Sequence, residues 1–408
     1  LPSMQSLIHG NFSGPMQRKA YALVGAAAAI AAAVGPLLGG FVTTYLSWRV
    51  AFGGEVVIIA IVLLGSRLVQ DVPYTGSRGV DVVGAILSAL GMGGVVLGIL
   101  VWEEGGGAVA ALIAVGLVAL GSLIWWLKKR KREGKPALLD IGLFASKYFR
   151  LGITSQTLQQ IGLGGLMIAL PIYLQMVLEY DALEAGLSIA PLSLTMFAVA
   201  LVAGRKAGNR SPSRIVLVGF LLLLVGVAIL IPIVPRAHSG WAMVVPLMIA
   251  GAGLGLLVSQ LNNYTLSPIE EERVSEAAGV NSAGGSFGLS FGLAFAGAIM
   301  LASLSLVFTN EADSSSVLTP AEQEQVADGL EHNAEVMTNT ELEKLLAGEP
   351  QDVQEEIIDI NTDSRPIALQ IALLVPLIAA ALGSFTAFRM TRLPDPEPSS
   401  AAEATLGG

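Results

Sequence analysis

Ten apolar stretches constrain this chain more than any other feature of it. Each is about 20 residues or longer, enough to cross the hydrocarbon core of a bilayer as a helix. They fall at roughly 21–45, 50–69, 81–101, 108–127, 149–177, 182–203, 214–234, 241–261, 278–308 and 366–388. In hydrocarbon every backbone N–H and C=O must find its partner within the protein, so such segments form helices. The expected fold class is therefore an all-α integral membrane helix bundle. Of the 408 residues 53% are hydrophobic and only 13% charged, about half the charged share of a soluble domain.

Charge placement tests the helix count. With the N-terminus in the cytoplasm, the inward-facing segments hold 19 of the 23 Lys and Arg residues, and Arg49, Arg236, Lys344 and Arg365 fall outside. A wrong count would scramble this alternation. The expected location is a multi-pass protein of the cell (inner or plasma) membrane with both termini cytoplasmic. Leu1 opens the chain without an initiator methionine or a signal-peptide pattern, and residues 1–20 resemble the end of one element and a short basic loop. The expectation is a fragment whose upstream helices are missing.

Several function classes drop out at this stage. The chain has no cysteine, and its three histidines, His9, His238 and His332, stand far apart. Neither a disulfide framework nor a metal site is expected, and no cofactor. No nucleophile is paired with a base, so an enzyme is not expected either. The net charge of -9 is local: residues 309–365 carry 15 acidic and 2 basic residues. That segment reads as a polar loop outside the membrane, either a simple solvated loop or a cation-attracting lid. Thr319-Pro320-Ala321-Glu322 and Thr340-Glu341-Leu342-Glu343 read as capping boxes of short surface helices. Residues 391–408 are expected to form a disordered cytoplasmic tail.

Small residues recur at helical spacing. Ala27, Ala31, Gly35 and Gly39, and beside them Ala28, Ala32, Pro36 and Gly40, make two strips without bulk on one helix. Gly94 and Gly98, Gly251 and Gly255, and Gly284, Gly288, Gly292 and Ala296 repeat the pattern. Each strip lets another helix approach closely, either for tight packing or for a rocking interface.

The string Gly35-Pro36-Leu37-Leu38-Gly39-Gly40, followed by Ser47-Trp48-Arg49, resembles the antiporter motif of drug:proton antiporters in the major facilitator superfamily. Ala22 and Ala31 occupy two slots where that motif carries glycines. Pro171-Ile172-Tyr173-Leu174-Gln175 with Ala185-Gly186-Leu187…Pro191 is similar to the join between the ninth and tenth helices of the fourteen-helix branch. Gly204-Arg205-Lys206-Ala207-Gly208-Asn209-Arg210 resembles the superfamily's basic gating loop, with Ala207 or Gly208 where an acid is usual. Ala277-Ala278-Gly279-Val280-Asn281 resembles the thirteenth helix. The resemblance implies four parts: residues 1–69 as the last two helices of the N-terminal half, 70–148 as a central extra pair with a basic linker, 149–390 as a six-helix C-terminal half, and the tail.

It also implies a function: proton-coupled export of hydrophobic or cationic drugs by alternating access. A nutrient or metabolite symporter of the same fold is the alternative, with a membrane enzyme or receptor further away. The implied partners are a small-molecule substrate, protons and the lipid bilayer, with no nucleic acid, and the implied state is a monomer. Polar residues inside spans are functional candidates because burying them in lipid is costly. Glu55 is the one acid well inside a span; it could bind a proton or a cation, or reach water or Arg49. Gln156, Gln159, Gln160 and Asn281 could line a substrate cavity or join helices. Arg205, Lys206 and Arg210 belong to the gating loop.

Overall fold

The computed structural model describes residues 31, 34–35, 38–68, 81–101, 106–135, 137–206, 211–237, 239–269, 273–319, 323, 339–348 and 350–394. Among the described residues 88% are helical and none lies in a strand. Nine helical spans among them are long and apolar enough to cross a membrane. They correspond to nine of the ten predicted spans; the first, 21–45, falls largely outside the described residues.

After a helical stretch at 38–45 come α1 (Trp48–Gly65), α2 (Val82–Leu100), α3 (Gly106–Arg132), α4 (Lys147–Met176), α5 (Ala182–Lys206) and α6 (Pro212–Ile233). They are followed by α7 (Val244–Leu266), α8 (Val274–Ser314), the short α9 (Asn339–Leu345), α10 (Gln351–Ala372) and α11 (Leu374–Thr391). Local chemistry sets several boundaries. The Asp81 side chain accepts the Gly84 N–H and so caps α2. Ser146 caps α4 in the same way through Phe149 N–H. Pro212 opens α6, where its missing N–H costs nothing. Lys129 to Arg132 close α3 with positive charge against the negative end of the helix dipole.

Two spans run furthest past their predicted bounds. α8 has 41 residues, roughly 60 Å at 1.5 Å per residue, about twice a bilayer's hydrocarbon core. α10 begins at Gln351, inside the segment that charge alone marks as a loop. Pro376 explains why α10 and α11 are separate: its ring conflicts with the carbonyl four residues back, at Ala372, where α10 ends. The acidic segment is thus bounded by continuations of membrane helices. Phe308, Ala312, Leu318, Leu342, Val353, Ile357 and Ile360 join one apolar cluster with the bundle core.

The bundle is built from glycine-lined crossings: α2 on α3, α4 on α8, α5 and α6 on α7, and α11 against α4 and α6. A Cβ built on Gly288 would lie 2.6 Å from the Thr157 carbonyl oxygen, and one on Gly292 would lie 2.5 Å from that of Ile161. Gly255 meets Met196, Gly251 meets Leu192 and Gly226 meets Ala250 with similar closeness, and Gly94 meets Gly116 at 3.0 Å. Backbones that touch gain dispersion contact along the whole crossing, the main attraction available between helices in lipid. α1 stands apart, with no buried residue.

Candidate functional site

Polar groups collect at three levels of the bundle. The first level is the end of the molecule that carries the acidic segment. Here the helical stretch 38–45 reaches the start of α5. Gly40 is the only buried residue in the described part of 31–68. A Cβ on it would come within 2.5 Å of the Ala182 carbonyl oxygen and 2.8 Å of Leu183 Cα. The Leu183 N–H donates to Thr44 Oγ1 at 3.1 Å. Gly35 and Gly39 face open space among the described residues, and Pro36 lies outside them. Trp48 is exposed, with the Arg49 guanidinium 4.6 Å above its ring.

At the same end a network ties the acidic segment to the α4–α5 turn. Glu179 accepts the Thr340 N–H at 3.0 Å and the Thr340 hydroxyl at 2.6 Å. The Thr340 hydroxyl thus serves Glu179 instead of closing the predicted box on Glu343. The Thr340 hydroxyl, with the Thr340 and Asn339 N–H groups and the Arg365 charge, holds the Glu179 carboxyl below the usual range. Asn361 donates to Asn339, and buried Arg365 donates through Nε to Asn361 Oδ1 at 3.0 Å. Tyr173, from the Pro-Ile-Tyr-Leu-Gln run, donates its hydroxyl to the Val234 carbonyl at 2.9 Å. Its run ends α4 and the Ala-Gly-Leu…Pro run opens α5, as the sequence predicts.

The second level lies midway along α4. Gln159 is about 18 Å from the start of a helix roughly 45 Å long, close to its middle. Its side chain is buried, and its Oε1 has no hydrogen-bond partner among the described residues. Gln156 and Gln160 flank Gly285 of α8, and Gln160 Oε1 is likewise unpaired. On α7 the fully buried Gln260 leaves both amide atoms unpaired among the described residues. A buried polar atom without a partner costs about 1–3 kcal/mol, so such amides are poised to accept one. Nearer the other end, Asn281 donates to Asn262 Oδ1 at 2.8 Å and joins α8 to α7, leaving its own Oδ1 unpaired among the described residues. Glu55 is not brought to these amides. It stands exposed on α1, with no ion pair among the described residues, to Arg49 or any other cation.

The third level is the basic end, where two aspartates act as hubs. Asp81 accepts the Gly84 N–H and the Trp126 indole N–H at 2.9 Å each and the Leu138 N–H at 3.0 Å, with Arg130 at 3.9 Å. Burial by itself would raise this carboxyl; the three donors and Arg130 outweigh it and hold it low. Asp140 pairs with Lys131 at 2.8 Å and Arg273 at 2.7 Å, while its own N–H donates to Glu276. The Lys131 hydrogen bond, then the Gly142 N–H, depress its carboxyl. Together the hubs bind the α2–α3 pair and the linker to the start of α8. Arg205 and Lys206 close α5, and Arg210 lies outside the described residues.

Sequence reasoning missed both hubs, Glu179 and Gln260. For Asp81 a signal existed, a carboxylate placed just before an apolar run. Asp140 sits in a linker whose cations dominate its composition, and Gln260 sits in a span otherwise read for its glycines. Among the described residues no group of three His, Asp or Glu gathers at metal-ligand spacing.

Comparison with known proteins gives the family. Residues 1–80 and 78–293 match the profile of the Major Facilitator Superfamily. The puromycin resistance protein pur8 of Streptomyces alboniger is 30% identical over 298 residues, 71% of this chain and 59% of that protein. The putative multidrug resistance protein MdtD of Yersinia pestis (strain Pestoides F) is 31% identical over 248 residues, 59% of this chain and 52% of that protein. The chain thus spans between half and three fifths of the length of these relatives. It is a multi-pass membrane protein with the bundle and the glycine seams described above, and it belongs to the major facilitator superfamily.

Proposed function

We propose that this chain works in proton-coupled export of hydrophobic or cationic drugs by alternating access, with the basic end in the cytoplasm of a cell-membrane protein. The observation that carries the reading is the seat of the antiporter string. Its Gly40 and Thr44 meet the first turn of α5, where residues 31–68 approach the bundle that follows. A seam between two helix groups is where one rocks against the other, and its opening exposes the site to alternate sides. The names of the relatives, puromycin resistance and multidrug resistance, support drugs as the substrate class.

In this reading residues 1–69 belong to the N-terminal half, 70–148 form a central pair, and 149–390 form the C-terminal half. The protein acts as a monomer and not as an enzyme. The amides of Gln156, Gln159 and Gln160 bind the polar parts of a substrate, and Asn281 keeps α7 and α8 in register. Glu55 carries the proton or meets the cationic group. Proton and drug then drive export because each prefers a different state of the transporter.

The test is dye movement in vesicles with an imposed pH gradient. A cationic dye leaves the compartment facing the basic end as protons enter it, and collapse of the gradient stops it. Glu55→Gln loses this for cationic dyes at unchanged abundance. Dye and protons moving in the same direction would instead mark a symporter and overturn the reading.

A further inference from the structure

The two sets of cations at the basic end are treated differently. Lys131, Arg130 and Arg273 are each matched by Asp81 or Asp140. Lys147 and Arg150, in the first turn of α4, and Arg389 and Arg392, at the end of α11, take part in no ion pair among the described residues. Those four side chains surround a cleft of about 560 Å³ whose lining, among the described residues, contains no acid.

The cleft is held in shape from both ends. At its mouth the Tyr148 hydroxyl donates to the Pro394 carbonyl at 3.1 Å, pinning the end of α11 beside the start of α4. Behind its wall the buried Ser155 hydroxyl lies 3.0 Å from that of Thr386, and Thr154 and Thr386 add hydroxyls to the lining. Four cations around one cleft repel one another, so an anion there relieves a cost that the described residues leave uncompensated. Arginine's planar fork suits phosphate oxygens in particular.

The surface next to the cleft says what kind of phosphate. Ile378, Leu382 and Phe385 are exposed on α11 and lie, by helical spacing, on the same face as Arg389. An apolar stripe thus leads along the membrane span straight to the cationic cleft. A free phosphate has no use for that stripe; an amphiphile has. We infer that the cleft between α4 and α11 binds the headgroup of an anionic phospholipid, whose acyl chains lie along the Ile378–Leu382–Phe385 face. Pockets of this kind on the basic side of membrane proteins match the chemistry of acidic headgroups. A lipid seated there bridges the first and last helices of the α4–α11 bundle.

The experiment uses the full chain, purified from vesicles of phosphatidylcholine with or without phosphatidylglycerol, and native mass spectrometry of the lipid it retains. Phosphatidylglycerol is retained over phosphatidylcholine by on the order of tenfold. Arg389→Gln/Arg392→Gln brings the two lipids near parity, and Lys147→Gln/Arg150→Gln does the same should the first variant fail to fold. Lys128→Gln/Arg132→Gln, which removes equal charge from the same end but outside the cleft, keeps the preference. Added inorganic phosphate leaves the retained lipid in place. Equal retention of both lipids by the parent, an unchanged preference in a folded cleft variant, or displacement by inorganic phosphate would overturn the inference.

Discussion

The crossing of α4 with α8 and the meeting of the 38–45 stretch with α5 are written in the same sequence code, a glycine every fourth residue, yet they are built differently. In the first, Gly288 and Gly292 of α8 and Gly164 of α4 all sit against backbone, and the seam is closed along its length. In the second, Gly40 alone is closed, while Gly35 and Gly39 face open space among the described residues. The α4–α8 seam also carries a hydrogen bond from the Thr157 hydroxyl to the Gly284 carbonyl at 3.3 Å, which helps fix its register. Among the described residues the other seam has one cross-link, from Leu183 N–H to Thr44. A seam closed everywhere holds a bundle together, whereas one closed at a single residue can part at small cost. The code marks close approach and does not distinguish a fixed interface from a working one.

The largest expected effect comes from closing the fixed seam to its own backbone. Gly292→Leu places side-chain carbon where the Ile161 carbonyl stands, 2.5 Å from even a Cβ, at a cost above about 3 kcal/mol. The expected outcome is loss of the monodisperse peak in size-exclusion chromatography. A well-folded variant would show that this seam is looser than its geometry.

Gly40→Leu is next. It forces the same kind of overlap at a seam that the rest of the bundle does not need, so abundance holds while dye export falls about tenfold or more, from about 1.4 kcal/mol of overlap or above. Gly39→Leu, pointing into space that is open among the described residues, changes export by about twofold at most, a few tenths of a kcal/mol. Equal effects at the two glycines would remove the distinction between the strips.

The smallest effect belongs to the basic end. Asp140→Asn removes two ion pairs at a carboxylate that is 37% exposed, worth less than about 1 kcal/mol after solvent screening. Because the folded protein holds this carboxyl below its usual range, its contribution is present above the unfolded value of about 4 and fades as pH falls through the folded one. Thermal midpoints of parent and variant therefore differ slightly at pH 6 and converge below about pH 4. A gap that widens in acid would contradict the pairing.

Much of this architecture was legible in the sequence, because membrane spans and glycine seams are one-dimensional signals. Nine predicted spans coincide with described helices, and the glycines at 94, 98, 251, 255, 288 and 292 all fall in contacts. What escaped was information that exists only in three dimensions. Spacing placed Gly39 and Gly40 on adjacent strips but not which strip meets α5. Asp140 finds Arg273 across 133 positions, and Glu179 finds Thr340 across 161. The helical start of α10 was hidden for another reason. Val353, Ile357 and Ile360 repeat with helical spacing and are buried, but the acids between them dominate the segment's charge. The candidate site was legible only as residue types: the glutamines do share one helix level, while Glu55 stands apart from them.

The claim at the centre of this account is that the Gly40–α5 seam opens during transport, and the cysteine-free chain allows a direct measurement. Thr44→Cys with Leu183→Cys puts one thiol on each side of the seam, on two residues that touch through the Leu183 N–H and Thr44 Oγ1. Dye export is followed before oxidation, after oxidation and after reduction, with the cross-link quantified in each state. The cross-link is expected to form readily and to arrest export, and reduction is expected to restore the starting rate. Export continuing at the starting rate through a fully formed cross-link would show that the seam is fixed, and would contradict the claim.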